Sequence, residues 1–252
     1  MTLFAHQLRA EQRLFWRSRE LAFFTFLFPL LLFVLLDSVY GNNIIKAEGV
    51  KASSYLLAGM LGYGVASTAF AGLAIVLVLR RESGILKRLR ATPLPSATYL
   101  AAVIISTVIV FAVEAAAMIV LARVIFGVEL KTQWLSLVLA LLLGSLAFAA
   151  LGIALTGWIR SGEGASAVVN AIYLPMAFLS GAFVSPHEYP RFLEVIAEVL
   201  PLTYFIRLMR DIVLRNQTIW SSWESAVVVA AWGLAAVLVL SVRGFRWTPR
   251  EG

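Results

Sequence analysis

Cysteine is absent from these 252 residues, and histidine nearly so. Without cysteine there is no disulfide framework, no thiol nucleophile and no thiolate metal site. The histidines, His6 and His187, lie far apart, and neither stands in metal-ligand spacing, so no bound metal is expected. Charge is scarce as well. Asp, Glu, Lys and Arg make up 14% of the chain, against about 25% in an average soluble domain. The sequence also lacks G-x-x-x-x-G-K-[ST], G-x-S-x-G and H-E-x-x-H, and it has no paired aspartates within its apolar runs. A phosphate-cradling loop, a nucleophile elbow and a metalloprotease helix are therefore all missing. The chain is not expected to be an enzyme on its own.

What fills the sequence is apolar. Hydrophobic residues account for 61% of it, and the mean hydropathy is +0.88. A soluble core has no use for this excess, and it comes in runs long enough to cross a bilayer, which takes about 20 residues per helix. Six spans are expected, at roughly 21–40, 55–79, 97–126, 134–159, 165–184 and 224–242. The third is long enough to tilt. The fourth and fifth are joined only by Arg160–Gly164, which reads as a tight helical hairpin. The run starting near Leu21 is span-length and is not followed by an A-x-A site, so it reads as a span rather than a cleaved signal. The alternation of a β-barrel is absent. No repeat or low-complexity linker divides the chain. The expectation is one all-α polytopic membrane domain, 1–252.

The net charge of +7 points to lipid rather than nucleic acid, because the basic residues cluster at the ends of apolar runs. With the N-terminus inside, the inner segments carry Arg9, Arg13, Arg17, Arg19, Arg80, Arg81, Lys87, Arg88, Arg90, Arg160, Arg243, Arg246 and Arg250. The outer segments carry fewer: Lys46, Lys51, Lys131, Arg191, Arg207, Arg210 and Arg215. This bias places both termini in the cytoplasm. Residues 1–20 are expected to form an interfacial helix. Arg9, Arg13 and Arg17 repeat every four residues, with Phe4, Leu8 and Phe15 on the opposite side.

The loop between the second and third spans, 81–95, carries the most information. Gly84 permits a break, and Ile85, Leu86 and Leu89 form a small apolar face among Lys87, Arg88 and Arg90. Thr92-Pro93-Leu94-Pro95 ends the helix. Such a helix suits either a groove on a protein partner or a layer of lipid headgroups, and spacing alone leaves both open. Before the last span, 186–214 reads as a helical hairpin at the outer interface. Phe192, Leu193, Val195, Ile196 and Val199 line one side, and Arg207 stands four before Asp211. Glu114 is the acidic residue near the middle of a span, placed there for substrate contact, gating or a structural bond to a neighbour. Tyr63, Phe70 and Phe178 are further candidates for an apolar pathway. Gly59, Gly62, Gly64 and Gly72 in the second span are expected to permit close helix packing.

The string Arg81-Glu82-Ser83-Gly84-Ile85-Leu86-Lys87-Arg88-Leu89-Arg90-Ala91-Thr92-Pro93-Leu94-Pro95 resembles the loop signature of ABC-2 type permeases. Leu179–Pro186 resembles the same family's Ser-Gly-x-Phe-x-x-Pro turn, departing from it at Val184-Ser185. Pro201-Leu202-Thr203-Tyr204 with Arg210 resembles its Pro-Leu-Thr element. The resemblance implies a bacterial inner-membrane exporter subunit, closest in flavour to daunorubicin-resistance permeases. It would pair with a second permease copy and with a cytoplasmic ABC ATPase that holds ATP and Mg. The substrate class implied is a hydrophobic small molecule or a lipid. Residues Glu82, Gly84, Ile85, Leu86, Lys87, Arg88, Leu89, Arg90, Thr92 and Pro93 would then form the coupling helix, with Leu86 and Leu89 in the ATPase groove, and 1–20 would be the connecting helix. The competing readings are an ion-driven secondary transporter, a lipid- or polysaccharide-exporting member of the same family, and a non-transporting scaffold.

Overall fold

Backbone groups surrounded by hydrocarbon must be hydrogen-bonded within their own segment, so the apolar runs fold as helices. The computed structural model describes residues 2–41, 43–45, 49–128, 132–183, 189–245 and 247–248. Helix α1 (Leu3–Arg17) stops at Ser18, whose ψ of 86° leaves the helical region, and α2 (Arg19–Tyr40) starts as a separate rod. A short antiparallel ribbon, β1 (Ile44–Ile45) with β2 (Val50–Lys51), leads to the second span. That span is continuous for 31 residues: α3 (Ala52–Val65), a π-helical segment Ala66–Gly72, and α4 (Leu73–Glu82). Then follow α5 (Ile85–Arg90), α6 (Ser96–Phe126), α7 (Trp134–Thr156), α8 (Ala165–Leu179), α9 (Arg191–Val199), α10 (Pro201–Arg215) and α11 (Trp223–Arg243).

Among the described residues, five helices are long and apolar enough to cross a bilayer: Arg19–Tyr40, Ala52–Glu82, Ser96–Phe126, Trp134–Thr156 and Trp223–Val242. The expected span 165–184 is shorter. Its helix α8 has 15 residues, about 22 Å of rise against about 30 Å of hydrocarbon. It stops at Ser180 because Gly181 adopts a left-handed φ of 83°.

The second span is the axis of the molecule. Leu57, Met60, Val65, Ala69 and Val78 are inaccessible to solvent. Three of its glycines let neighbouring elements pack closely, as expected. A methyl at Gly59 would strike the Ala182 carbonyl, one at Gly62 the Ile206 side chain, and one at Gly64 the Glu114 carboxylate. Gly72 has a different neighbour, the Ser67 carbonyl of its own helix.

Both described chain ends lie at the same end of the bundle. There α1 meets the end of α4, Trp247 packs on Tyr99 with ring centroids 5.6 Å apart, and Gly162 abuts Glu82. The ribbon, α9 and α10 lie at the other end. Residues 186–188 of the expected hairpin fall outside the described residues. The remainder is two helices with opposite habits. On α9, Phe192, Val195, Ile196 and Val199 are exposed, whereas α10 is buried along most of its length from Pro201 to Val213. The apolar face of α9 therefore points away from the bundle, and α10 is a core element rather than an interfacial one. The expected Arg207–Asp211 pair is also corrected. Asp211 accepts from Arg215 at 2.9 Å, and Arg207 sits 4.0 Å from Glu198 and over the Tyr204 ring.

Candidate functional site

The loop helix is rooted in the molecule by its own side chains. Gly84 takes φ 73°, a conformation open to glycine, and lets the chain turn from α4 into α5. Thr92 donates its hydroxyl to the Leu89 carbonyl at 2.6 Å, closing the last turn ahead of Pro93. Leu86 is fully buried inside this chain, and Leu89 is half-buried. Leu86 is thus already part of the core and cannot fill a groove on another protein. The outward apolar side chain is Ile85, 44% exposed, flanked by exposed Glu82, Lys87, Arg88 and Arg90.

Two arginines hold the segment in place. The Arg80 Nη1 lies 2.8 Å from Glu11 Oε2 and donates to the Tyr99 hydroxyl at 3.1 Å. Arg81 is buried and donates to the carbonyls of Thr156 at 2.8 Å and Ile159 at 2.6 Å. A guanidinium there satisfies carbonyls that the end of α7 leaves unpaired, and it complements the negative end of that helix. Both arginines read in the sequence as orientation charges. Glu11 gave no signal at all, because a glutamate in a basic interfacial helix looks solvated. It is buried, and also accepts from Gln7 Nε2 at 2.8 Å. One residue on, Gln12 donates to both the carbonyl and the hydroxyl of Ser106. Arg9, Arg13 and Arg17 are exposed, with Phe4, Leu8 and Phe15 half-buried opposite them.

Above Glu11 and Arg80 lies a cleft of about 310 Å³ between α1, α2, the second span, α6 and α8. Ser67, Thr68, Ser106, Thr107, Asn170 and Tyr173 give it a polar wall, and Phe15, Phe24, Val103 and Val110 an apolar one. The volume lies at the lower end of the range for small-molecule sites. The expected pathway residues are placed around the cleft rather than in it. Glu114 is buried behind Thr68, whose hydroxyl donates to Glu114 Oε2 at 2.6 Å. The other oxygen, Oε1, has no hydrogen-bond partner among the described residues. Tyr63 packs among Tyr173, Phe183 and Phe28, with centroids 5.7, 5.4 and 6.3 Å away. Phe70 is buried, and Phe178 is exposed beside Phe183. Among the described residues, no group of His, Asp or Glu is arranged to hold a metal ion.

At the opposite end, Arg210 of the Pro-Leu-Thr helix is buried. It donates to the Gly181 carbonyl of the Ser-Gly turn, and its guanidinium sits 3.8 Å from the centroid of the Tyr55 ring. The two motif segments far apart in sequence thus meet through one side chain.

The family model for the ABC-2 type transporter matches residues 2–214, which takes in α1, the loop, α8 and α10. The chain belongs to the ABC-2 type transporter family. Among proteins similar to this ABC-2 member is YvfS of Bacillus subtilis (strain 168), a predicted transport permease. It is 25% identical over 206 residues, covering 81% of this chain and 83% of the relative. Another is ycf38 of Porphyra purpurea, also a predicted transport permease, 27% identical across 88% of this chain and 77% of its own length. Nodulation protein J of Rhizobium leguminosarum bv. trifolii is 36% identical over 91 residues, about a third of each chain. Of these relatives, YvfS and ycf38 are named as transport permeases.

Proposed function

We propose that this ABC-2 member is the membrane-spanning permease of an ATP-driven exporter, and that a separate cytoplasmic ATPase docks on α5. The observation that carries the reading is the division of labour within the loop. Leu86, Arg80 and Arg81 root the segment in the membrane domain, while Ile85, Lys87, Arg88 and Arg90 are left facing outward on a short helix. An exposed apolar anchor flanked mainly by basic side chains suits a groove with an apolar floor and an acidic rim. ATP and Mg belong to that partner. On this reading the α5 end is cytoplasmic, both termini are inside, and the membrane is the bacterial plasma membrane. Two permease copies form the pathway, and the cargo is a hydrophobic or amphipathic compound such as a drug or lipid.

The test is reconstitution. The permease co-expressed with its ATPase should co-purify as a dimer of permeases with two ATPases, and should export an amphipathic dye from vesicles only when ATP is present. Ile85→Asp should abolish co-purification and export while leaving the permease inserted. Permease alone should show no ATP hydrolysis. Dye export driven by a proton gradient without ATP would instead favour a secondary transporter.

A further inference from the structure

The adjacent arginines at the end of α4 reach in opposite directions. Arg80 turns to α1 and α6, through Glu11 Oε2 at 2.8 Å and the Tyr99 hydroxyl at 3.1 Å. Arg81 turns to the end of α7, through the carbonyls of Thr156 and Ile159. Both lie within five residues of the start of α5 at Ile85. A buried ion pair is a poor way to gain stability, because apolar side chains of similar volume do as well or better once desolvation is counted. The Glu11–Arg80 pair is placed where stability alone gives little reason for it.

Its surroundings suggest what it does. Glu11 and Arg80 both line the cleft, at its α5 end. On α1, Leu14 and Phe15 line it too, and Gln12 is bonded twice to Ser106 of α6. Ser106 and Thr107 form part of the polar wall. The links therefore run unbroken from the loop helix through Arg80, Glu11 and Gln12 to the wall of the cleft. Coupling over such a distance needs groups that hold one another in discrete arrangements, and a charged pair with shared hydrogen bonds qualifies.

We infer that Glu11 and Arg80 are a positioning pair that transmits displacement of α5 into the cleft, with α1 and α6 following the end of α4. This inference rests on the reading of α5 as the ATPase-docking helix. Arg81 carries the same displacement to α7, on the other side. When the pair is broken, α5 remains rooted through Leu86 and Arg81, but the cleft no longer follows it.

The experiment uses the full permease–ATPase complex in lipid nanodiscs, with an environment-sensitive fluorophore on a single introduced cysteine. One preparation carries it at Thr107 in the cleft wall, the other at exposed Ser83 beside α5. The stimulus is a non-hydrolysable ATP analogue. Both labels should respond in the background with natural residues at 11 and 80. With Arg80→Met, or the isosteric Glu11→Gln, the Thr107 response should be lost while the Ser83 response and ATPase co-purification persist. The charge exchange E11R/R80E should restore the Thr107 response. An unchanged Thr107 response in both single variants overturns the inference, as does its loss only together with loss of folded protein. A Ser83 label that is silent in the background removes the docking reading itself, and this inference with it.

Discussion

Among single residues, Glu114 shows how far chemistry can be read from a sequence and where reading stops. A lone carboxylate in the middle of a span has to be buried and partnered, and it is. Which partner it takes depends on Thr68, brought alongside by the π-helical segment and by the space that Gly64 leaves. Thr68→Val should leave the carboxylate without its donor, at a cost of about 1–3 kcal/mol in unfolding free energy, measurable by denaturation in detergent. Gly64→Ala should destabilise as well, since the added methyl meets Oε1 and the Phe111 ring. A Thr68→Val protein as stable as its parent would mean the bond contributes nothing. The Glu11–Arg80 pair was illegible by comparison. Helical periodicity describes neighbours along one element, and this contact joins elements from different parts of the chain.

Among elements, the helices that sequence describes well are long, continuously apolar spans. The boundaries of α6 and α11 fall within a residue or so of the expected 97–126 and 224–242. The exceptions depend on protein neighbours. Helix α8 ends early at the Gly181 turn that Arg210 grips, and α10 is drawn into the core by contacts with Gly62 and Gly144. An amphipathic pattern cannot tell a helix facing lipid headgroups from one facing other helices. The same ambiguity made Leu86 look like a docking residue. Leu86→Ala should cost about 2–5 kcal/mol of stability, as expected for a truncated core leucine. Ile85→Ala should leave stability within about 0.5 kcal/mol of the parent while weakening co-purification with the ATPase. Equal losses of stability from the two would contradict the burial described here. The π-helical segment offers a second test. Such segments often mark functional positions in otherwise α-helical spans. Deleting Ala69 should let the span close into a continuous α-helix, giving a folded protein that no longer transports; full transport after the deletion would make the segment incidental.

For the whole molecule, the absence of cysteine makes the topology directly measurable. A cysteine at Asn43 or Gln133, both exposed at the ribbon end, should react with an impermeant maleimide in intact cells. One at Ser83 or Thr248, exposed at the α5 end, should react only after permeabilisation. Labelling at Ser83 from outside would invert the orientation. Five of the six expected spans are helices long enough to cross, and both described chain ends gather beside α5. The way the spans pack was not legible, because apolar composition says where lipid is tolerated and leaves open which faces meet protein.

The buried axis also bears on biosynthesis. The second span leaves the ribosome long before α7, α8 and α10, the elements that cover its glycines and its apolar faces. Chains grow at roughly 5–20 residues per second, so α3 spends several seconds in the bilayer with Gly59 and Gly62 facing lipid instead of Ala182 and Ile206. During that interval its small-residue face is open to any passing helix. A nascent chain halted before Pro201 would insert yet leave Gly62 without Ile206. Quality-control proteases and neighbouring permeases would meet that face first, so the order of synthesis sets a period of vulnerability that ends only when α10 arrives.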